Sequence, residues 1–196
     1  MTHKNETILE RLQVSAAQLT EVIDANPSLR GIILGYLAEM KLKQTWFDRP
    51  EVAKSFKYDD HDRLKKGDLV VSYKGREFTI ESKSLQTNTI RYEDGVWSGK
   101  VQCDASDRRT VKLPNGRRIE TTCLVIGEFD LLAVNLFAFE NKWRFIFAKN
   151  SDLPRTRFKR YTATQRKYLL ATLIDVTWPP QPPFRDEPFG LLYEML

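Results

Sequence analysis

The order of local signals predicts a mixed α/β (α+β) fold: helices first, then a mostly antiparallel sheet, then a late helix. Three observations carry it. Apolar residues recur at helical spacing in the N-terminal part. Short β-branched and aromatic runs, separated by glycine-containing turns, fill the middle. A capping signal follows a basic segment near residue 162.

The N-terminal signal is specific. Ile8, Leu12, Ala16, Leu19, Val22 and Ile23 predict one helix over 7–25, and Asn26-Pro27 offers a cap followed by proline at a first helical position. The second helix carries Leu29, Ile33, Tyr36, Leu37 and Met40, with Glu39 at the edge of that stripe, over Ile32 and Gly35. Residues 48–66 are polar and read as a loop. Within them Asp59, Asp60, His61 and Asp62 resemble metal ligands on paper, although acids clustered beside lysines are usually hydrated.

Residues 67–83, GDLVVSYKGREFTIESK, read as a hairpin with Lys74-Gly75 as its two-residue loop. Tyr73 then pairs with Arg76, Val71 with Phe78, Leu69 with Ile80, and Asp68 with Glu81, unless a bulge at Gly75 shifts the register. Alternation puts Leu69, Val71, Phe78 and Ile80 on one face and Asp68, Val70, Thr79, Glu81 and Lys83 on the other. Two carboxylates facing each other destabilise a sheet unless a cation lies between them. Lys83 is one candidate and a divalent metal is the other; the alternative is a surface ion-pair cluster on an exposed sheet face.

Further along, Glu93-Asp94-Gly95 and Asn115-Gly116 mark turns, the second joining RRTVKL to RRIETTCLVIG. That ribbon is flanked by Arg108, Arg109, Lys112, Arg117 and Arg118, so it suits a DNA groove, or equally an edge hairpin kept soluble by charge. LLAVNLFAF and WRFIFA are apolar enough for central strands, joined by a Glu140-Asn141-Lys142 turn. Thr162 or Thr164 caps a helix expected to run to about Ile174, WPPQPPF reads as a stiff extended tail, and DEPFGLLYEML as a short returning helix.

Composition bounds the function. With 41% hydrophobic and 29% charged residues, a chain of 196 residues can bury a core and is not a disordered segment. No apolar run reaches membrane-span length, and the start MTHKNETILER is no secretory signal, which predicts a cytoplasmic protein. Cys103 and Cys123 lack metal-ligand spacing and are expected to be reduced core residues. Net charge is +5, yet residues 155–167 alone hold six cations and no acid, so the rest of the chain is slightly acidic. In that segment Arg155, Arg157, Lys159 and Arg160 are interleaved with Phe158 and Tyr161, a pattern suited to phosphates and bases, or to a solvated loop.

Asp68, twelve intervening residues and then Glu81-Ser82-Lys83 resemble the core motif of the PD-(D/E)XK nuclease superfamily, which includes most restriction endonucleases. The resemblance covers roughly residues 27–148. It implies a restriction endonuclease-like core, a central mixed β-sheet flanked by helices, within a single nuclease domain over 1–196. In that reading 1–26 is an N-terminal helix, 27–148 the catalytic core, and 149–196 a basic helix and proline-rich tail. The usual proline before the motif aspartate is replaced by Gly67.

The resemblance further implies catalytic roles for Asp68, Glu81, Lys83 and Glu39. Asp68, Glu81, the Ser82 carbonyl and Glu39 would hold Mg²⁺, for which Mn²⁺ can substitute. Lys83 would orient or help deprotonate the attacking water and stabilise charge on the phosphate. Gln86 and Asn88, just past the motif, join the arginines and lysines named above as DNA contacts. The expected activity is cleavage of double-stranded DNA by a type II-like restriction endonuclease acting as a homodimer. A structure-specific nuclease such as a junction resolvase, or an inactive DNA-binding module, are the alternatives.

Overall fold

The structure is a computed structural model that describes residues 6–57 and 67–196. The Asp59, Asp60, His61 and Asp62 cluster lies outside the described residues. The chain divides into two units, Met1–Leu37 and Ala38–Leu196.

In the first unit the single helix expected over 7–25 is two. α1 (Ile8–Leu12) and α2 (Ala16–Ala25) each begin with a capping box, Thr7 with Glu10 and Ser15 with Gln18. Gln13 in the left-handed region (φ 54°) ends α1. Apolar periodicity survives such a break, whereas a serine whose side chain accepts an amide N–H and starts a new helix interrupts the backbone ladder. α3 (Pro27–Leu42) starts at the proline, as expected.

The second unit opens with the last turn of α3 and a π-helical turn, Lys43–Phe47. β1 (Val52–Phe56) follows, a correction to the loop expected over 48–66. Its polar outward residues hide the alternation. Then come β2 (Leu69–Tyr73), β3 (Arg76–Ser84), β4 (Arg91–Glu93), β5 (Val96–Gln102), β6 (Asp104–Lys112), β7 (Arg118–Cys123) and β8 (Leu131–Asn135). The chain ends with α4 (Phe137–Glu140), β9 (Phe145–Lys149), α5 (Ala163–Arg166), β10 (Leu173–Trp178) and α6 (Phe189–Glu194).

β1-β2-β3-β8-β9 form the central sheet, with β3 and β8 parallel and every other pair antiparallel. This is the expected mixed sheet. On one face Val71, Phe78, Ile80, Leu131 and Phe147 pack with Leu42 of α3, Phe47 of the π-turn and Leu191 and Leu192 of α6. On the other, Leu132, Val134, Ile146 and Ala148 pack against Val101, Ile174 and Val176 of a second sheet ordered β10-β5-β4. β6 and β7 form the separate two-stranded ribbon. Among the described residues no helix is long and apolar enough to cross a membrane.

Thr162 caps α5 through the expected capping box with Gln165, but the helix stops at Arg166 instead of reaching Ile174. Residues 173–178 are a strand in which Ile174 and Val176 point inward while Leu173 and Asp175 face out. That period of two, rich in β-branched residues, outweighs continuation of the helix once the segment can pair with β5. Nor is 178–184 a plain extended tail. Phe184 is buried in the core and Arg185 exchanges both backbone hydrogen bonds with Phe147 at 2.8 Å.

The hairpin register is as expected: Tyr73↔Arg76, Val71↔Phe78 and Leu69↔Ile80, closed by Lys74 (φ 47°) and Gly75 (φ 82°). Gly67 also holds a left-handed conformation (φ 82°), and a Cβ there would sit 3.1 Å from Thr79 Cβ and 3.2 Å from the Ile80 carbonyl. Proline, fixed near φ −65°, cannot adopt it. Gly67→Ala should therefore destabilise the protein by about 1–3 kcal/mol. Urea unfolding checks this, and a change within 0.5 kcal/mol would show that the backbone relaxes without cost.

Candidate active site

β2 stops at Leu69, which pairs with Ile80, and the next residue outward is Asp68. The Asp68 N–H still donates to the Ile80 carbonyl at 2.8 Å. Its carboxylate then accepts the Ser82 N–H at 2.7 Å (Oδ2). With β2 ended, Ser82 thus finds an acid side chain where a longer strand would have offered a carbonyl. The opposite edge of β3 is occupied by β8, where Glu81, Ser82 and Lys83 pair with Leu132, Ala133 and Val134. The motif residues therefore sit inside the sheet, flanked by strands or their ends on both sides.

Lys83 lies two residues beyond Glu81 on the same face and donates from Nζ to Glu81 Oε1 at 2.7 Å. Their side chains keep 24% and 14% of their exposure, so the pair is largely removed from water. Glu39, near the end of α3, accepts from Lys57 Nζ at 2.7 Å, just past β1. Both charges act on Asp68, the glutamate raising its pKa and the lysine lowering it. The four residues expected to carry catalysis thus form one electrostatically coupled group.

Burial is the leading influence on Asp68, Glu81 and Lys83. It pushes the Asp68 carboxyl above the ordinary carboxylate range, against the Ser82 N–H and the Lys83 charge. Glu81 is raised by burial and then by Asp68, with Lys83 opposing. For Lys83, burial favours the neutral amine, but Glu81, their hydrogen bond and Asp68 outweigh it and hold the group above its usual value. Lys83 is therefore an ammonium, suited to donating a hydrogen bond and offsetting negative charge and poorly suited to removing a proton. Cys103, whose pKa burial pushes up to about 12, is a neutral packing residue, and both cysteines are buried and reduced.

The DNA-contact candidates divide into two kinds. Arg108, Lys112, Arg117, Arg118, Arg157, Lys159, Arg160 and Asn88 are exposed. Arg109 is instead clamped to Glu128 by both terminal nitrogens, one contact being 2.7 Å, with the glutamate 11% exposed. Arg155 is turned back onto the carbonyls of Leu153 and Ser151. Gln86 donates to the Gln102 side chain at 2.7 Å.

Sequence reasoning missed three residues that shape the site. Lys57 was hidden by reading β1 as a loop. Glu128 raises Glu81 through space and has no local signature. Asp130 accepts from the Thr79 N–H at 2.7 Å and the Thr79 hydroxyl at 2.9 Å, which ties β3 to the start of β8. Its position just before an apolar strand was visible, but its partner lies 51 residues away in sequence. Among the described residues, no group of three or more His, Cys, Asp or Glu side chains is arranged to hold a metal ion.

Comparison with known protein families finds no match, and comparison with curated protein sequences finds none. Among solved structures the chain is similar to a bacterial homing endonuclease, with a TM-score of 0.34 and 17% identity over 69% of this chain and 85% of that one. A likeness of that size carries no functional argument.

The buried acids give a signed prediction. Their folded-state pKa values lie above the unfolded ones, so across that window the folded protein binds the extra protons and stability falls as pH rises. Lys83, Glu39 and Lys57 all act on Asp68, and the net direction is upward. In EDTA, Asp68→Asn should be at least as stable as the native protein at pH 8, because its amide oxygen can still accept the Ser82 N–H. The advantage should shrink as pH falls toward about 4. Urea midpoints across pH check this; a variant much less stable at pH 8 would make Asp68 a structural anchor.

Proposed function

We propose that this protein is a Mg²⁺-dependent endodeoxyribonuclease, a type II-like restriction endonuclease acting on double-stranded DNA as a homodimer. The observation that carries the reading is the buried Asp68–Glu81–Lys83 group at the end of the central hairpin, two acids raised in pKa beside one ammonium. Such a concentration of charge costs stability, which favours a role in chemistry over one in folding. A dimer is proposed because one core holds one centre and cutting both strands needs two.

The residues fit a hard divalent cation in donor chemistry. Asp68 and Glu81, with the Ser82 carbonyl, offer oxygen ligands to an ion that binds few protein groups and keeps several waters, and their mutual repulsion would be relieved by it. Bound Mg²⁺ or Mn²⁺ would supply charge neutralisation at the phosphate and a more acidic water. Lys83 donates to the scissile phosphate or the attacking water and offsets the charge that develops at phosphorus. Glu39, oriented by Lys57, provides a further acceptor for water beside Asp68.

Lys83→Ala should lower plasmid cleavage in Mg²⁺ by at least roughly 10²–10³-fold while DNA affinity stays within a few-fold. Lys83→Gln, which keeps a donor toward Glu81, controls for loss of fold. Wild-type turnover in both variants would remove the centre of this reading. The same assay with native protein separates its neighbours. Discrete fragments support a restriction enzyme, preference for branched DNA a resolvase, and binding without cleavage in either metal an inactive module.

The exposed cations yield a second expectation. Binding should weaken steeply with salt, and the log–log slope should fall by about 1 for each of Arg117→Ala, Lys112→Ala and Lys159→Ala. Arg109→Ala should instead reduce stability, since it leaves Glu128 buried without its partner. Unchanged slopes for all three exposed positions would assign the ribbon and the 155–167 segment to solvated surface.

A further inference from the structure

The basic ribbon and the basic 155–161 segment are separated in sequence, yet they meet around one cavity of about 590 Å³. The segment is held in place by one isolated bridge, Arg155↔Leu170, onto a stretch whose Leu169 is itself bridged to Val125. Thr156, 7% exposed, adds a hydrogen bond from its N–H to Leu169. Tyr161 is fixed to the ribbon by a 2.6 Å hydrogen bond between its hydroxyl and that of Thr121. The wall is therefore built before any ligand arrives.

Its lining is chemically specific. Arg108 enters from the ribbon and Arg160 from the segment, and neither has an ion pair or hydrogen bond among the described residues. Arg109, one residue away, shows the alternative, being neutralised by Glu128. The same cavity is lined by Phe158, 60% exposed, and Tyr161, their rings edge to face with centroids 6.0 Å apart. An exposed phenylalanine costs solubility and gives nothing to the core, but offers a stacking surface. At the cavity's edge the Asp104 carboxylate is held by the Gln102 amide at 2.9 Å, an acceptor that can take an amino hydrogen.

We infer that this cavity binds one 5′-phosphorylated nucleoside unit, its phosphate on Arg108 and Arg160 and its base against Phe158 and Tyr161. The volume suits it, since small-molecule sites span about 300–1,000 Å³. Two unneutralised guanidiniums select a phosphate dianion or diester, and an aromatic face beside them selects a base over a bare anion. The site contains none of Asp68, Glu81, Lys83 and Glu39. The inference rests on the proposed DNA substrate only for the source of the nucleotide, either a base unstacked from DNA or a free mononucleotide.

The test uses full-length Lys83→Ala protein in EDTA, so that cleavage plays no part. Titration with dAMP, dTMP, deoxyadenosine and inorganic phosphate, followed by calorimetry, should give binding of the monophosphates. Deoxyadenosine and phosphate should each bind at least roughly tenfold more weakly. Phe158→Ala should weaken the monophosphates about tenfold without changing phosphate, Phe158→Trp should restore them, and Arg108→Ala or Arg160→Ala should weaken both. Equal affinity for phosphate and dAMP, or no effect of Phe158→Ala, overturns the inference and leaves a plain anion site. A duplex carrying 2-aminopurine separates the sources. Emission that rises on binding and is lost in Phe158→Ala assigns the site to DNA, whereas dAMP binding without such a rise assigns it to free nucleotide. Nucleotide binding by a protein that cuts no DNA keeps this site and sinks the nuclease reading; cleavage without nucleotide binding does the reverse.

Discussion

The structure depends on β3 having neighbours along both edges. Its antiparallel partner β2 ends early, at the left-handed Gly67, and its parallel partner β8 continues past it. The last residues of β3 thus keep one sheet neighbour while the other edge opens, and the Asp68 carboxylate takes the Ser82 N–H there. Asp130 sets the β8 side by accepting two hydrogen bonds from Thr79. Together these three hydrogen bonds fix where a pair of acids and a lysine lose their water. A parallel pair cannot be closed by a tight turn, so the long excursion through β4 to β7 is a consequence of the same arrangement.

That arrangement concentrates charge where hydrophobic burial would be more stable. Val70 on β2 is buried, with Thr79 opposite it on β3. Burial raises both acids first; Glu39 adds to the effect at Asp68 and Asp68 adds to it at Glu81, and one ammonium does not offset them. Ion pairs removed from water seldom improve folding. The central sheet, buried on both faces by helical segments on one side and the second sheet on the other, supplies the stability against which this group is held.

Basic residues are distributed by a different logic. Some serve the fold: Arg109 neutralises Glu128, and Arg155 closes a turn on the Leu153 and Ser151 carbonyls. Others stay exposed on the ribbon and on the segment after β9. Composition cannot separate these kinds, since both are arginines in basic runs. What separates them is whether a carboxylate or a carbonyl reaches the guanidinium once the chain is folded.

The sequence by itself determined the hairpin, its loop and its register from Leu69↔Ile80 to Tyr73↔Arg76, because these follow from alternation and turn chemistry within 12 residues (69–80). It also determined the cap at Thr162, the start of α3 at Pro27 and the apolar strands β8 and β9, although Phe137–Glu140, read as part of the first of them, is the short helix α4. Tertiary structure decided whatever needed a distant partner. Residues 173–178 became a strand because β5 was there to pair with, and 52–56 because β2 was. Lys57 reached Glu39, Glu128 reached Arg109, and two basic segments met around one cavity, each across a separation that local periodicity does not encode. The physical reason is that propensity and pattern act over a few residues, while burial, ion pairing and cavity shape arise only after the chain has brought remote segments together.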